Sequence, residues 1–208
     1  MYLTRIDLQP EVREVQRALG DCQQMHRMVN GLFQTARKDA GLLYRLRAER
    51  GVTALYLYSN VPVDKSVLAQ RNGMTLAGER DLTDWLTDIQ NGQLCGFDLL
   101  AAPTKKVAEE GHKNSRRRIL REQEERLDWL SRKAAQHGFA LVQAKELEGV
   151  HLSGKHTQER GGRMYWDGYH YTGILQVVDA ARFCQAVAGG IGAGKAYGMG
   201  MLLLRRQK

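Results

Sequence analysis

The sequence predicts an α+β fold in which one βαββαβ order occurs twice. Three observations carry the prediction: strands that alternate apolar and polar, intervening helices with apolar residues three and four apart, and a second half that repeats the order of the first. The 208 residues suit two small domains or one large one, with enough apolar content to bury cores without covalent staples.

Tyr2 to Leu8 alternates as a strand, and Pro10 then opens a helix where its missing N–H costs little. Val12, Val15, Leu19, Cys22, Val29 and Phe33 keep one face of this helix apolar, with Gly20-Asp21 as a point of interruption. Leu42 to Arg47 and Val52 to Ser59 read as paired strands ended by Pro62, and Asp64 to Gln70 as a short helix. Leu82 to Ile89 fits either element, and Asn91-Gly92, the strongest short hairpin signal, favours strands on both sides.

In the second half, Gln93 to Ala102 is a strand closed by Pro103, and Arg121 to His137 is a helix with Leu127, Leu130 and Ala134 inward and Gly138 past its end. Phe139 to Ala144, a polar excursion from Gly149 to Gly162, and Tyr169 to Val178 follow. A helix capped by Asp179 then leads to the last strand. The order implies tandem ferredoxin-like (RRM-like) domains, 1–90 and 91–208. Such a sheet frames RNA-recognition modules, but the aromatic signature that stacks bases is missing from both halves.

Lys and Arg number 31 against 23 Asp and Glu, a formal charge of +8. That excess points to a polyanionic partner, nucleic acid first. The densest cluster runs from His112 through Lys113 to Arg116, Arg117 and Arg118, followed by Arg121, and reads as a solvated basic segment ahead of a helix or as a phosphate-tracking surface. The three cysteines are scattered without metal spacing, and no secretory leader is recognisable, so a reduced cytoplasmic setting is expected. No apolar run reaches the ~20 residues that cross a bilayer, so no membrane partner is expected.

The run Gly189 to Arg206 is dense in glycine and carries Lys195, which suggests an anion held by backbone N–H groups. It comes close to a nucleotide phosphate loop, but Ala196 stands where a magnesium-binding hydroxyl is needed, and a strand rather than a helix follows. None of His112, His137, His151, His156 and His170 pairs at metal-ligand spacing, and neither metal nor cofactor is expected. By spacing alone His26, between Cys22 and Val29, is a core-edge histidine.

The segments MYLTRI, MHRMVNGLF, FDLLAAPTKK, RRRILREQEERLDWLSRKA, YTGILQVVDAARF and GGIGAGKAYGMGMLLL, in this order across nearly the whole chain, resemble the CasE family of type I-E CRISPR RNA-processing endoribonucleases. The resemblance implies binding of the stem-loop in a CRISPR repeat and cleavage at the 3′ base of the stem. It further implies attack by a 2′-hydroxyl without metal, retention of the product, and a place among the other subunits of Cascade. It assigns the catalytic histidine to His26, because histidine moves protons near neutral pH. Lys155, in the polar excursion, becomes a stabiliser of the scissile phosphate. Gln23 stands where many relatives carry tyrosine; its amide can orient a phosphate but cannot act as a phenol. Arg27, Lys105, Lys106, Lys113, Arg116, Arg117, Arg118, Arg121, Arg160, Arg163 and Lys195 are the expected RNA contacts. The alternative class is a structured-RNA-binding subunit that cuts nothing.

Overall fold

The computed structural model describes residues 1–49, 51–107, 116–155 and 162–206. Its first sheet is built from β1 (Tyr2–Leu8), β2 (Leu43–Glu49), β3 (Val52–Ser59) and β4 (Met74–Asp81), ordered β2-β3-β1-β4. In β1, Thr4, Ile6 and Leu8 are buried while the residues between them are less so, which is the period of two expected of a half-covered strand. The covering layer is α1 (Arg13–Gly20), α2 (Cys22–Asn30), the four-residue α3 (Arg37–Ala40) and the short α4 (Lys65–Ala69). Val15, Met25 and Val29 pack with Ile6, Leu55 and Leu57 to form this core. A fully buried aliphatic side chain of this kind contributes about 1.5–3 kcal/mol.

The second sheet repeats the topology. After α5 (Thr83–Thr87), β5 (Leu94–Ala101), β8 (Phe139–Lys155), β9 (Arg163–Val177) and β10 (Leu202–Arg206) take the order β10-β5-β9-β8. Helices α6 (Gln123–Gln136) and α7 (Ala180–Gly189) cover one face, with Leu130, Phe139, Leu175 and Phe183 in the shared core. Asp179 caps α7 through Arg182 N at 3.0 Å. Between β5 and α6, β6 (Thr104–Val107) and β7 (Arg116–Ile119) form a separate two-stranded ribbon.

Both sheets have the 4-1-3-2 strand order, so the chain is a tandem ferredoxin-like protein. Buried polar contacts join them. Arg45 of β2, 4% exposed, places Nη2 2.9 Å from the Asp98 carboxylate of β5; within the second sheet, His170 of β9 places Nε2 2.7 Å from the same carboxylate. Tyr58 donates its hydroxyl hydrogen to the Leu202 carbonyl at 3.2 Å.

Several elements differ from expectation. The fourth strand of the first sheet is Met74–Asp81, and Leu82 to Ile89, favoured as a strand before Asn91-Gly92, instead contains the helix α5, while a strand does follow that turn. Gly92 does turn, with φ 85°, but its N–H pairs with Val177 O at 2.7 Å, a long-range partner rather than a local hairpin. The first helix begins at Arg13, not Pro10, and breaks at Asp21 where interruption was expected. The basic segment before α6 contains the β7 strand. The polar excursion extends both of its flanking strands, β8 to Lys155 and β9 from Arg163. Among the described residues no helix is long and apolar enough to cross a membrane.

Candidate active site

Asp21 makes the break between α1 and α2 and starts the second helix. Its backbone is extended (φ −145°, ψ 113°), and its side chain accepts from Gln23 N and Gln24 N, the capping geometry that satisfies otherwise orphaned donors. From this start Cys22, Met25, Met28 and Val29 face the core, which leaves His26 half-buried at the edge of the stripe and Arg27 exposed beside it.

The far end of β8 reaches this helix. Gly154 is buried so tightly against it that a Cβ there would lie 2.8 Å from Cys22 Sγ and 3.0 Å from Asp21 Oδ1. A side chain at 154 would therefore push the strand away. The next residue, Lys155, donates its backbone N–H to Asp21 Oδ2 at 3.1 Å, and its side chain is exposed. Lys155 pairs across the ribbon with Arg163. The backbone of Lys155 is thus brought to the start of the helix that carries Gln23 and His26, the latter 129 positions before it in sequence.

His26 Nε2 is 3.0 Å from Asn30 Nδ2; with the amide so assigned, Nε2 accepts and is the unprotonated nitrogen. Nδ1 is buried without a partner of hydrogen-bonding geometry, although the Ala196 backbone lies near enough to favour the charged ring. Burial dominates and holds the imidazole below its ordinary pKa, helped by the positive charge of Arg37 and, more weakly, of Arg27. The ring is therefore neutral at neutral pH and able to accept a proton. Gln23 is half-buried, with Oε1 lacking a partner among the described residues.

Sequence reading missed Arg37, Asn30 and Asp21. Arg37 donates to Leu42 O at 3.1 Å, and its charge reaches His26, Lys195, Tyr44 and Tyr197. It follows a break in the helix, so no periodicity points to it. Asn30 was legible in principle, four residues after His26 on the same helical face.

The expected RNA contacts fall in several places. Lys105 lies opposite Arg118 and Lys106 opposite Arg117 on the β6–β7 ribbon, with Arg121 just beyond. Like charges facing across strands are unfavourable without an anion to bridge them. Lys105 also meets Glu125 at 2.9 Å on the surface. Arg116 sits opposite Val107, while Lys113 and Arg160 lie outside the described residues. Lys195 is drawn into its own loop: Nζ donates to Gly189 O at 2.6 Å. The glycine run follows a helix and enters a strand, the reverse of a nucleotide phosphate loop.

Fold and site together define a tandem ferredoxin-like protein in which a half-buried imidazole feels the positive charge of Arg37 and Arg27. A family model described as CRISPR associated protein matches residues 1–206, and the chain belongs to that family. CRISPR-associated endoribonuclease Cse3 of Thermus thermophilus is 27% identical over 215 residues, covering 97% of this chain and 98% of that protein. A structure of CRISPR endoribonuclease Cse3 bound to 19 nt RNA matches with TM-score 0.85 and 27% identity, over 99% of this chain and 100% of that one. A chain of a CRISPR RNA-guided surveillance complex, captured before nicking, shares the fold at TM-score 0.73 and 21% identity, covering 100% of both chains. The resemblance to the CasE family is borne out.

Proposed function

We propose that this chain is an endoribonuclease that binds the repeat stem-loop of a CRISPR transcript, cuts at the 3′ base of the stem without metal, and keeps the product as a Cascade subunit. Residues 1–90 form the unit that carries His26, and 91–208 the unit that carries the basic ribbons, working in the cytoplasm. The observation that carries the reading is the half-buried His26, its pKa held down by burial, on a helix whose start Asp21 ties to the Lys155 end of β8.

In this reading Nε2 of His26, released by Asn30 when RNA enters, takes the proton of the 2′-hydroxyl at the cut. The oxygen attacks the adjacent phosphorus, and the added negative charge is met by Lys155, Arg27 and Arg37, with Gln23 orienting the phosphate through its amide. The bond to the 5′ oxygen breaks, that oxygen takes a proton from water, the His26 imidazolium returns its own to solvent, and a 2′,3′-cyclic phosphate and a 5′-hydroxyl remain. Acid-base help of this kind supplies about 10² to 10⁴ in rate. Lys105, Lys106, Arg117, Arg118 and Arg121 follow the stem phosphates, because a regular RNA helix is read mainly through backbone and shape.

Incubation of the protein with its own repeat RNA in EDTA tests the reading. One cut that leaves a cyclic phosphate is expected. Binding without any cut supports the alternative RNA-binding subunit, and a strict need for divalent ions overturns the mechanism.

A further inference from the structure

The glycine-rich turn has no part in the reaction just described, yet its backbone is closely packed. Gly194 (φ 75°) and Gly198 (φ 83°) are both left-handed and bracket the 3-10 turn Lys195–Tyr197. A Cβ at Gly198 would lie 2.9 Å from the Tyr44 ring, and one at Gly194 2.8 Å from Met199 Sδ. Tyr197 N donates to Gly194 O at 2.8 Å, which closes the turn.

This anchoring holds the Tyr197 ring in one place. Its centroid is 5.9 Å from that of His26, tilted by 58°, and 5.5 Å from that of Trp166, tilted by 39°. Trp166 lies opposite Leu152 of β8, so three rings run in a row from the β8–β9 ribbon to the imidazole. Among the described residues the Tyr197 hydroxyl has no hydrogen-bond partner, so what the structure uses is the ring. An anion bound at the turn is not what its geometry serves, since Lys195 already closes on the Gly189 carbonyl.

We propose that Tyr197 is a positioning residue for His26, its ring forming a wall that fixes the imidazole's orientation and keeps water from its face. The inference rests on reading His26 as the base. Asn30 holds Nε2 until RNA enters, and the Tyr197 ring stands at a side of the imidazole before and after that release. A base held in advance loses no entropy of ordering at the moment of reaction, and a misplacement of about 1 Å can cost roughly 100-fold in rate.

The wall also adds to the burial that holds the imidazole below its ordinary pKa. The charged and titratable groups on the elements around His26 include Asp21, Cys22 and Arg27 on its own helix, Arg37, Tyr44 on β2, Lys155 and His151 on β8, and Lys195 on the turn. Arg37 and Arg27 push in the same direction as burial, and the Ala196 backbone opposes them.

The test compares Tyr197→Ala with Tyr197→Phe in the full chain, by NMR titration of the His26 imidazole without RNA and by single-turnover cleavage of the repeat hairpin. In Tyr197→Ala the midpoint should rise toward that of a solvated imidazole. Cleavage should slow by about 10- to 100-fold, with the Kd for a 2′-deoxy hairpin unchanged. Tyr197→Phe, which keeps the ring, should rescue both. Tyr197→Leu should shift both readouts in the same direction as alanine, should the alanine variant not fold. An unshifted titration in the alanine or leucine variant, or a phenylalanine variant as slow as alanine, overturns the inference. A shifted titration in a protein that never cuts RNA would instead remove the enzymatic reading and leave the wall in place.

Discussion

The Asp21 carboxylate joins the helix that carries His26 to the strand that carries Lys155. Oδ1 accepts from Gln23 N at 2.8 Å and Gln24 N at 3.1 Å, and Oδ2 accepts from Lys155 N at 3.1 Å. Asp21→Ala should cost about 1 kcal/mol of stability through the lost cap. Cleavage should fall further than that loss explains, because the end of β8 is freed from the helix. Asp21→Asn keeps one acceptor for the cap and should be more stable than alanine yet still slow. Chemical denaturation beside single-turnover rates reads both effects.

The pH dependence follows from His26. Its pKa is lowered, chiefly by burial, so the proton-accepting form is already dominant at neutral pH. The single-turnover rate should therefore climb with pH only on the acid side of the ordinary imidazole value of about 6.5 and level off above it. Arg37→Ala removes a positive neighbour, which favours protonation, so the acid limb should move to higher pH while the plateau drops. A limb that moves to lower pH would contradict the assigned field of Arg37.

The pair Arg126–Glu146 holds α6 against β8. Nε meets Oε2 at 2.8 Å and Nη2 meets Oε1 at 2.6 Å, with side chains 9% and 4% exposed. The guanidinium also lies 3.8 Å over the Tyr169 ring and donates to the Arg121 carbonyl. Glu146→Ala leaves a buried cation without its partner and should cost about 3–5 kcal/mol in urea unfolding. Replacing both members with apolar residues should cost much less.

Each phosphate contact made by the β6–β7 ribbon should appear in the salt dependence of hairpin binding. Lys106→Ala and Arg117→Ala should each weaken binding and flatten the log-log slope by roughly 0.7–0.9. The double variant, which removes a facing pair of like charges, should be no less stable than the parent. An unchanged slope would take these residues off the RNA path.

Much of the fold was legible because burial imposes a period. Ile6 and Leu8 alternate with polar residues, Asp179 caps a helix, and Gly138 follows α6 with φ 76°. The fourth strand escaped because Met74–Asp81 is an edge strand whose Thr75, Gly78, Glu79 and Arg80 offer no apolar alternation. Gly92 was rightly read as a turn, but a dipeptide cannot tell that its partner is Val177, 85 positions on. At the site, only the family resemblance raised His26 above a packing histidine. Asp21, Arg37 and Tyr197 come to it from a helix break, a four-residue helix and a remote turn, and no local pattern links them.

The proposed role of His26, drawing a proton from the 2′-hydroxyl at the cut, is tested by one substituted RNA. A repeat hairpin with 2′-deoxyribose at the nucleotide just 5′ of the scissile phosphate should bind as tightly as the all-ribose hairpin and stay whole in EDTA. The unsubstituted RNA should be cut by the parent protein and bound without cutting by His26→Ala. Cleavage of the deoxy hairpin, or undiminished cutting by His26→Ala, would contradict the account.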